Sequence, residues 1–210
     1  MKLSLTVATI LSPAYGPCPE FETTCTEMRW NPAAGHVPRG FLGACGDLSE
    51  VELVLVVAEP GDPHEGESHT GLDSAYNYAA FGFRSGKDLF HRNIRKILDM
   101  CWPNLPFELQ MRRVWLTESV LCSAQKECGP VRKSTSLACG RRYLLPQLET
   151  FPDALVVALG NKANDRLIAL GVRDFIKVGS VAPPGCNQLK SRESWKGISL
   201  ELTRRRSAIP

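Results

Sequence analysis

No stretch of this 210-residue chain stays apolar for the ~20 residues that a membrane-crossing helix requires. The N-terminal MKLSLTVATILSPA comes nearest to a leader. A single Lys precedes it and Ser and Thr interrupt it, so it does not read as a secretory signal. A strong net charge is missing as well. The 25 Lys and Arg against 22 Asp and Glu leave +3, which neither demands nor excludes a polyanionic partner. Basic residues come in short clusters instead: Arg112-Arg113, Arg132-Lys133, Arg141-Arg142 and Arg204-Arg205-Arg206. Each is by default a solvated patch. Internal repeats and low-complexity tracts are also absent, which excludes solenoid arrays and long disordered linkers. No CxxC pair marks a tight metal or redox centre.

The chain does contain eight cysteines. Disulfide scaffolds are usually shorter and loop-rich, whereas buried strands and amphipathic helices are prominent here. Several cysteines therefore read as metal or cluster ligands and the rest as small buried hydrophobes.

The patterning begins with VELVLVVAEPGDPHE, Val51 to Glu65. Its apolar, β-branched run predicts a strand buried on both faces. In open α/β sheets ligands bind beyond the carboxyl ends of the strands, which puts Glu59, Asp62, His64 and Glu65 at the mouth of a site. The plainer alternative is a Pro/Gly turn with solvated acids. Gly66 to Asn77 reads as a functional loop, and Tyr78 to Gly86, with Phe81 and Phe83 flanking Gly82, as its continuation. Lys87 to Met100 predicts an amphipathic helix. Arg113 to Cys122 predicts a second buried strand with the charge of Glu118 inside it. Ser136 to Thr150 is helical in pattern despite Pro146. Leu155 to Gly160 is a third strand, Asn161 to Leu170 a helix ended by Gly171, and Phe175 to Val181 a fourth strand. A rigid turn follows at Ala182 to Cys186, and Ser194 to Arg206 closes the chain as strand or helix. The first 50 residues read as loop, with Val37-Pro38 opening an edge strand. The alternation predicts a single α/β domain over 1–210: a three-layer α/β/α sandwich around a mostly parallel four-stranded sheet.

Several motifs fall in a familiar order. Cys18 and Cys25 precede a strand that ends in Val57-Ala58-Glu59-Pro60-Gly61. Gly82-Phe83 precedes a helix. VWLTESVLC leads to Cys122, and ACGRRYLLPQLETFPDALVVALGNKA contains Cys139. This order resembles the uracil-DNA glycosylase superfamily, in particular its iron–sulfur branch, over roughly residues 18 to 190. The most specific part is Val114 to Ala163.

The resemblance implies a [4Fe–4S] cluster held by Cys18, Cys25, Cys122 and Cys139. Cys45 and Cys128 are alternatives for Cys18, and zinc with four cysteines is the chemical alternative. It further implies that the chain flips a base out of DNA and hydrolyses its N-glycosidic bond. Glu59 is then the first choice for the catalytic carboxylate and Asp62 the second. Ala58, Phe83 and Glu118 line the base, with Glu118 where the family carries an Asn. An ionised Glu only accepts hydrogen bonds, so the base preference is expected to differ from the family's or to be broader. Ala182-Pro183 stands in place of the family's His-Pro. Leu189 would be the wedge entering the DNA stack, with Lys190 and Arg192 on phosphates. The expected partner is DNA carrying uracil or another deaminated base, met in the cytoplasm by a monomer that touches no membrane. A non-catalytic damage-binding protein and a metal-stabilised nucleotide- or nucleoside-binding protein are the other readings.

Overall fold

A computed structural model describes residues 1–208. The strands are β1 (Met28–Arg29), β2 (Leu42–Gly43), β3 (Leu53–Val57), β4 (Val114–Glu118), β5 (Ser123–Ala124), β6 (Leu155–Leu159) and β7 (Ile176–Val178). The helices are α1 (Leu5–Leu11), α2 (Leu72–Ser85), α3 (Leu89–Cys101), α4 (Phe107–Arg113), α5 (Lys133–Cys139), α6 (Leu145–Glu149), α7 (Asn161–Ala169), α8 (Leu189–Ser194) and α9 (Lys196–Ser207). None of these is long and apolar enough to cross a membrane.

The main sheet runs in the order β2-β4-β3-β6-β7. β3, β4, β6 and β7 are parallel, and β2 joins β4 antiparallel. All five residues of β3 are buried. Leu53, Leu55 and Val57 pack on one face with Phe83, Ile94, Ile97 and Ile198. Val54 and Val56 pack on the other with Leu11, Tyr143 and Leu167. A strand that feeds two cores has no polar face, which is why its sequence runs apolar without alternation. The helices cover both faces, as the α/β/α expectation required.

The sheet has five strands rather than four. The extra one is β2, and it lies further along the chain than the edge expected at Val37-Pro38. It is two residues long and ends in Gly43, so it carries no readable period. Gly43 is obligatory: its φ is +94°, and a Cβ there would lie 1.9 Å from the Val114 carbonyl oxygen. The region expected as loop, Gly66 to Gly86, is helix from Leu72 to Ser85. In α2 the buried residues Leu72, Ala75, Tyr76, Ala79, Ala80 and Phe83 recur at helical spacing, and Gly86 closes the helix at φ +64°. Gly82 sits mid-helix because the His91 ring lies against it; a Cβ would be 2.8 Å from Nε2. Pro146 is accommodated because a π-turn over Gly140–Leu144 separates α5 from α6 and places the proline at a new helix start. The closing segment is the helix α9.

Candidate functional site

Two clusters stand at the carboxyl ends of β3 and β4. The first is built on the turn after β3. Backbone pairing continues past the strands, with Ser119 N donating to Val57 O (2.9 Å) and Val120 N to Ala58 O (3.0 Å). This keeps Ala58-Glu59 beside Glu118-Ser119. The Glu59 side chain is 5% exposed and contacts two cations from α7: Lys162 on Oε1 and Arg166 at 2.5 Å from Oε2. Arg166 is itself buried, and it donates to the Ala58 carbonyl (2.6 Å) and to Ser119 Oγ (3.0 Å). Lys162 also donates to the carbonyls of Gly129 (2.8 Å) and Cys128 (3.2 Å). Lys162 and Arg166 are four residues apart, on one face of the helix that starts just beyond β6. That geometry aims both at the mouth.

Glu118, the last residue of β4, is 3% exposed, and its Oε2 has no hydrogen-bond partner among the described residues. Burial pushes its carboxyl well above the usual range; the nearby Glu59 adds to this, and Arg39 and Arg166 oppose it. A buried carboxylate with an unpartnered oxygen is costly, so burial favours the neutral form of Glu118. Gly40 lies over it: a Cβ there would be 2.8 Å from Oε1. The neighbouring Arg39 is buried and donates to the carbonyls of Gly35 and Val37 (3.2 Å each) and to that of Gly61. It also approaches Glu67 at 3.6 Å. Glu67 accepts from His69 Nε2 (2.8 Å) and from His64 N (2.9 Å). Arg39 thus ties the loop before β2 to the turn after β3.

Asp62 does not share the carboxylate site. It is 46% exposed and pairs with Arg29, while its backbone N–H donates to Glu127 (3.3 Å). His64 faces Asp88 at 3.7 Å. Phe83 cannot stack on a ligand where it stands. It is fully buried in α2, packed on Phe90 and His91, because the segment is a helix whose Phe83 face turns to the core. Phe81, on the opposite face, is the exposed ring. The Ala58 carbonyl is occupied by Val120, Ser119 and Arg166. Leu189 opens α8 with 69% exposure, next to exposed Lys190 and Arg192. The Arg192 guanidinium folds back to the Cys186 carbonyl (2.9 Å).

The second cluster is cysteine. Cys18, Cys25, Cys122 and Cys139 line one largely enclosed cavity, closed by Ala14, Phe21, Met28, Val120, Leu121 and Tyr143. Cys18 and Cys25 come from the N-terminal loop, Cys122 from the segment just past β4, and Cys139 from the end of α5. All eight cysteines are free thiols. Backbone N–H groups already point at two sulfurs, Glu20 N at Cys18 (3.3 Å) and Leu121 N at Cys139 (3.4 Å). Burial pushes the Cys25 and Cys139 thiols up to about 12, with neighbouring thiols adding to it. Cys122 is raised for the same reasons. An apolar cavity without a counter-charge suits a group that brings its own positive charge to four thiolates, and the donor set is the one an iron–sulfur cluster takes. Cys45 and Cys128 are elsewhere: Cys45 packs in the opposite core, and Cys128 is exposed beside Lys162. Among the described residues no three His, Cys, Asp or Glu side chains gather closely enough to hold a single ion.

Sequence reasoning missed Arg39, Glu67, His69, Lys162 and Arg166. Only the last two left a signal, as cations at i and i+4 opening a helix behind a buried strand. No protein-family model matches the chain, and no curated protein matches it either.

Proposed function

We propose that this chain is a DNA base-excision glycosylase of the iron–sulfur type. It acts in the cytoplasm as a monomer on uracil or another deaminated base. The observation that carries this reading is the meeting of Cys18, Cys25, Cys122 and Cys139 in one cavity beside the carboxylates at the strand ends. Three separate segments supply those thiols. A cubane takes one thiolate per iron, four cysteines are also the donor set of a structural zinc, and metal analysis separates the two. When bound, a cluster there would staple the N-terminal loop to the end of β4 and the end of α5.

The two glutamates at the mouth are in unlike surroundings: Glu59 is ion-paired, and Glu118 is buried in a way that favours its neutral form. An anion and an acid side by side are what hydrolysis of a glycosidic bond uses. Glu59 faces positive charge developing on the sugar, and Glu118 donates a proton or hydrogen bond to the departing base. Leu189 fills the gap left by the flipped nucleotide, and Lys190 holds phosphate.

The test is incubation with single- and double-stranded oligonucleotides containing uracil, hypoxanthine or xanthine, followed by alkaline cleavage, together with iron analysis. Abasic product from wild type, lost in Glu59→Gln, is the expected result. Iron-free protein that yields no abasic product overturns the reading. The clamping of Glu59 by two cations favours a second reading, a damage-binding protein without turnover. Tight binding to these oligonucleotides without abasic product would select it.

A further inference from the structure

The carboxylates at the strand mouth each have a settled surrounding: Glu59 sits between two cations, Glu118 is buried, and Asp62 is turned to Arg29. Lys162 is different. Its side chain is 39% exposed, yet its Nζ is fixed by Glu59 and by the Cys128 and Gly129 carbonyls. The turn that supplies those carbonyls is specially shaped. Cys128 sits at φ +59°, a region non-glycine residues rarely adopt, and Gly129 N closes on the Lys126 carbonyl at 2.8 Å. Glu127 of the same turn packs on Gly61, where a Cβ would lie 2.7 Å from its Oε1. The turn therefore rests on the Glu59-to-Asp62 segment and holds the amine at the rim of the site. The amine is partly exposed at the rim, touches a carboxylate that can take its proton, and shares that carboxylate with a second cation, Arg166, the kind of neighbour that favours a neutral amine.

We propose that Lys162 is an amine nucleophile that forms an imine with C1′ of a deoxyribose, adding strand-nicking lyase chemistry to the site. This rests on the glycosylase reading only in taking DNA as the ligand. The ammonium passes a proton to Glu59, and the Nζ lone pair attacks C1′. On an intact nucleotide the C1′–N bond breaks, and its electron pair leaves with the base, which takes up the proton. The C1′–O4′ bond then opens, O4′ is protonated, and nitrogen shares its lone pair as C1′=N⁺. On an abasic sugar the aldehyde condenses with the amine and releases water. Loss of a C2′ proton then expels the 3′ phosphate, and water hydrolyses the imine to return the lysine. Arg166 remains on Glu59 and keeps it in place when Lys162 moves to the sugar.

The test uses the full chain with a labelled duplex carrying a preformed abasic site, and separately one carrying uracil, each with sodium borohydride. Hydride reduces the imine at C1′ to a stable amine, which appears as a covalent protein–DNA band. Wild type is expected to give the band. Lys162→Arg keeps a cation on Glu59 and should lower the band at least about a hundredfold at an unchanged melting temperature. No band with wild type, or an undiminished band with Lys162→Arg, overturns the proposal. Uracil excision without any band sinks the lyase and leaves the glycosylase standing. A Lys162-dependent band on abasic DNA without excision of any base does the reverse.

Discussion

The strand β4 and its extension carry both clusters, Glu118 to the carboxylate mouth and Cys122 to the thiol cavity, and the two ends are built on opposite principles. The mouth neutralises itself. Glu59 has two cations, Glu67 has Arg39 and His69, and burial favours the protonated form of Glu118. The thiol cavity is walled mostly by apolar side chains, and burial favours the uncharged thiols of Cys25 and Cys139. In the proposed reading, a cluster bound there would bring the positive charge that turns thiols into thiolate ligands. A self-neutralised site is stable alone and sensitive to losing one partner. A site awaiting its counter-charge is sensitive to losing a ligand.

The contrast is broken most severely at Arg166. Arg166→Ala leaves Glu59 and the Ala58 carbonyl buried without that partner. Lys162 stays on Glu59 Oε1, so the expected cost in urea unfolding is about 2–3 kcal/mol, that of losing a charge-assisted hydrogen bond. A smaller loss in the double variant Arg166→Met/Glu59→Gln would confirm that the orphaned charge, rather than lost packing, sets the cost.

The Glu118 carboxyl is raised above its unfolded value of 4.5. Its contribution is therefore complete below that pH and is lost as pH rises through the folded pKa. The slope is at most about 1.4 kcal/mol per pH unit for one proton. Glu118→Gln should flatten the alkaline limb of a stability–pH curve and leave the acid limb as it was. An identical alkaline slope in the variant would show that Glu118 is ionised in the native state.

Glu27 tests the other pole. Burial pushes its carboxyl up, but hydrogen bonds from Arg132 and Thr135 outweigh this and bring it to about 2. Its contribution is thus present above 4.5 and fades as pH falls toward about 2. Arg132 and Thr135 also hold the Thr24 carbonyl (3.1 and 3.0 Å), so this network ties the loop bearing Cys18 and Cys25 to the start of α5. Glu27→Gln should cost about 1 kcal/mol after solvent screening. It should also lower the amide-exchange protection of residues 18–27 at neutral pH relative to wild type at the same pH. Unchanged exchange in that loop would remove Glu27 from its anchoring.

The smallest effect belongs to Asp62. Its pair with Arg29 is solvent-exposed, and Asp62→Asn should change stability by less than about 0.5 kcal/mol. If the site is assigned correctly, it should also leave base excision within about twofold of wild type. A large loss of excision would return Asp62 to the catalytic role that the sequence allowed it.

Parallel strands were legible because residues buried on both faces must be apolar throughout, as in LVLVV and LVVAL. The grouping of Cys18, Cys25, Cys122 and Cys139 came from the family resemblance and not from their spacing, because donors so distant in sequence carry no local pattern. α2 was hidden by its glycine and by polar residues on its outer face, although Leu72, Ala75, Tyr76, Ala79 and Phe83 carried the helical spacing. β2 was too short to have a period. The cations of the mouth were hidden for another reason. Arg39, Lys162 and Arg166 look like solvated charge until the fold turns them inward, and only the carboxylates they meet distinguish them from the arginines of α9.

β1 and β5 form a ladder of two residue pairs, Met28 with Ala124 and Arg29 with Ser123. It lies three residues beyond Cys25 and directly after Cys122, so it works as a vernier between two thiols that the main sheet leaves independent. A slip of one residue would turn every side chain of the ladder to its other face and carry Cys25 along the cavity wall. Inserting or deleting a residue between Cys25 and Met28 should therefore spoil the thiol geometry while β3, β4 and β6 stay paired. The same change in the turn at Pro32–Ala34 falls beyond the ladder and leaves that spacing intact.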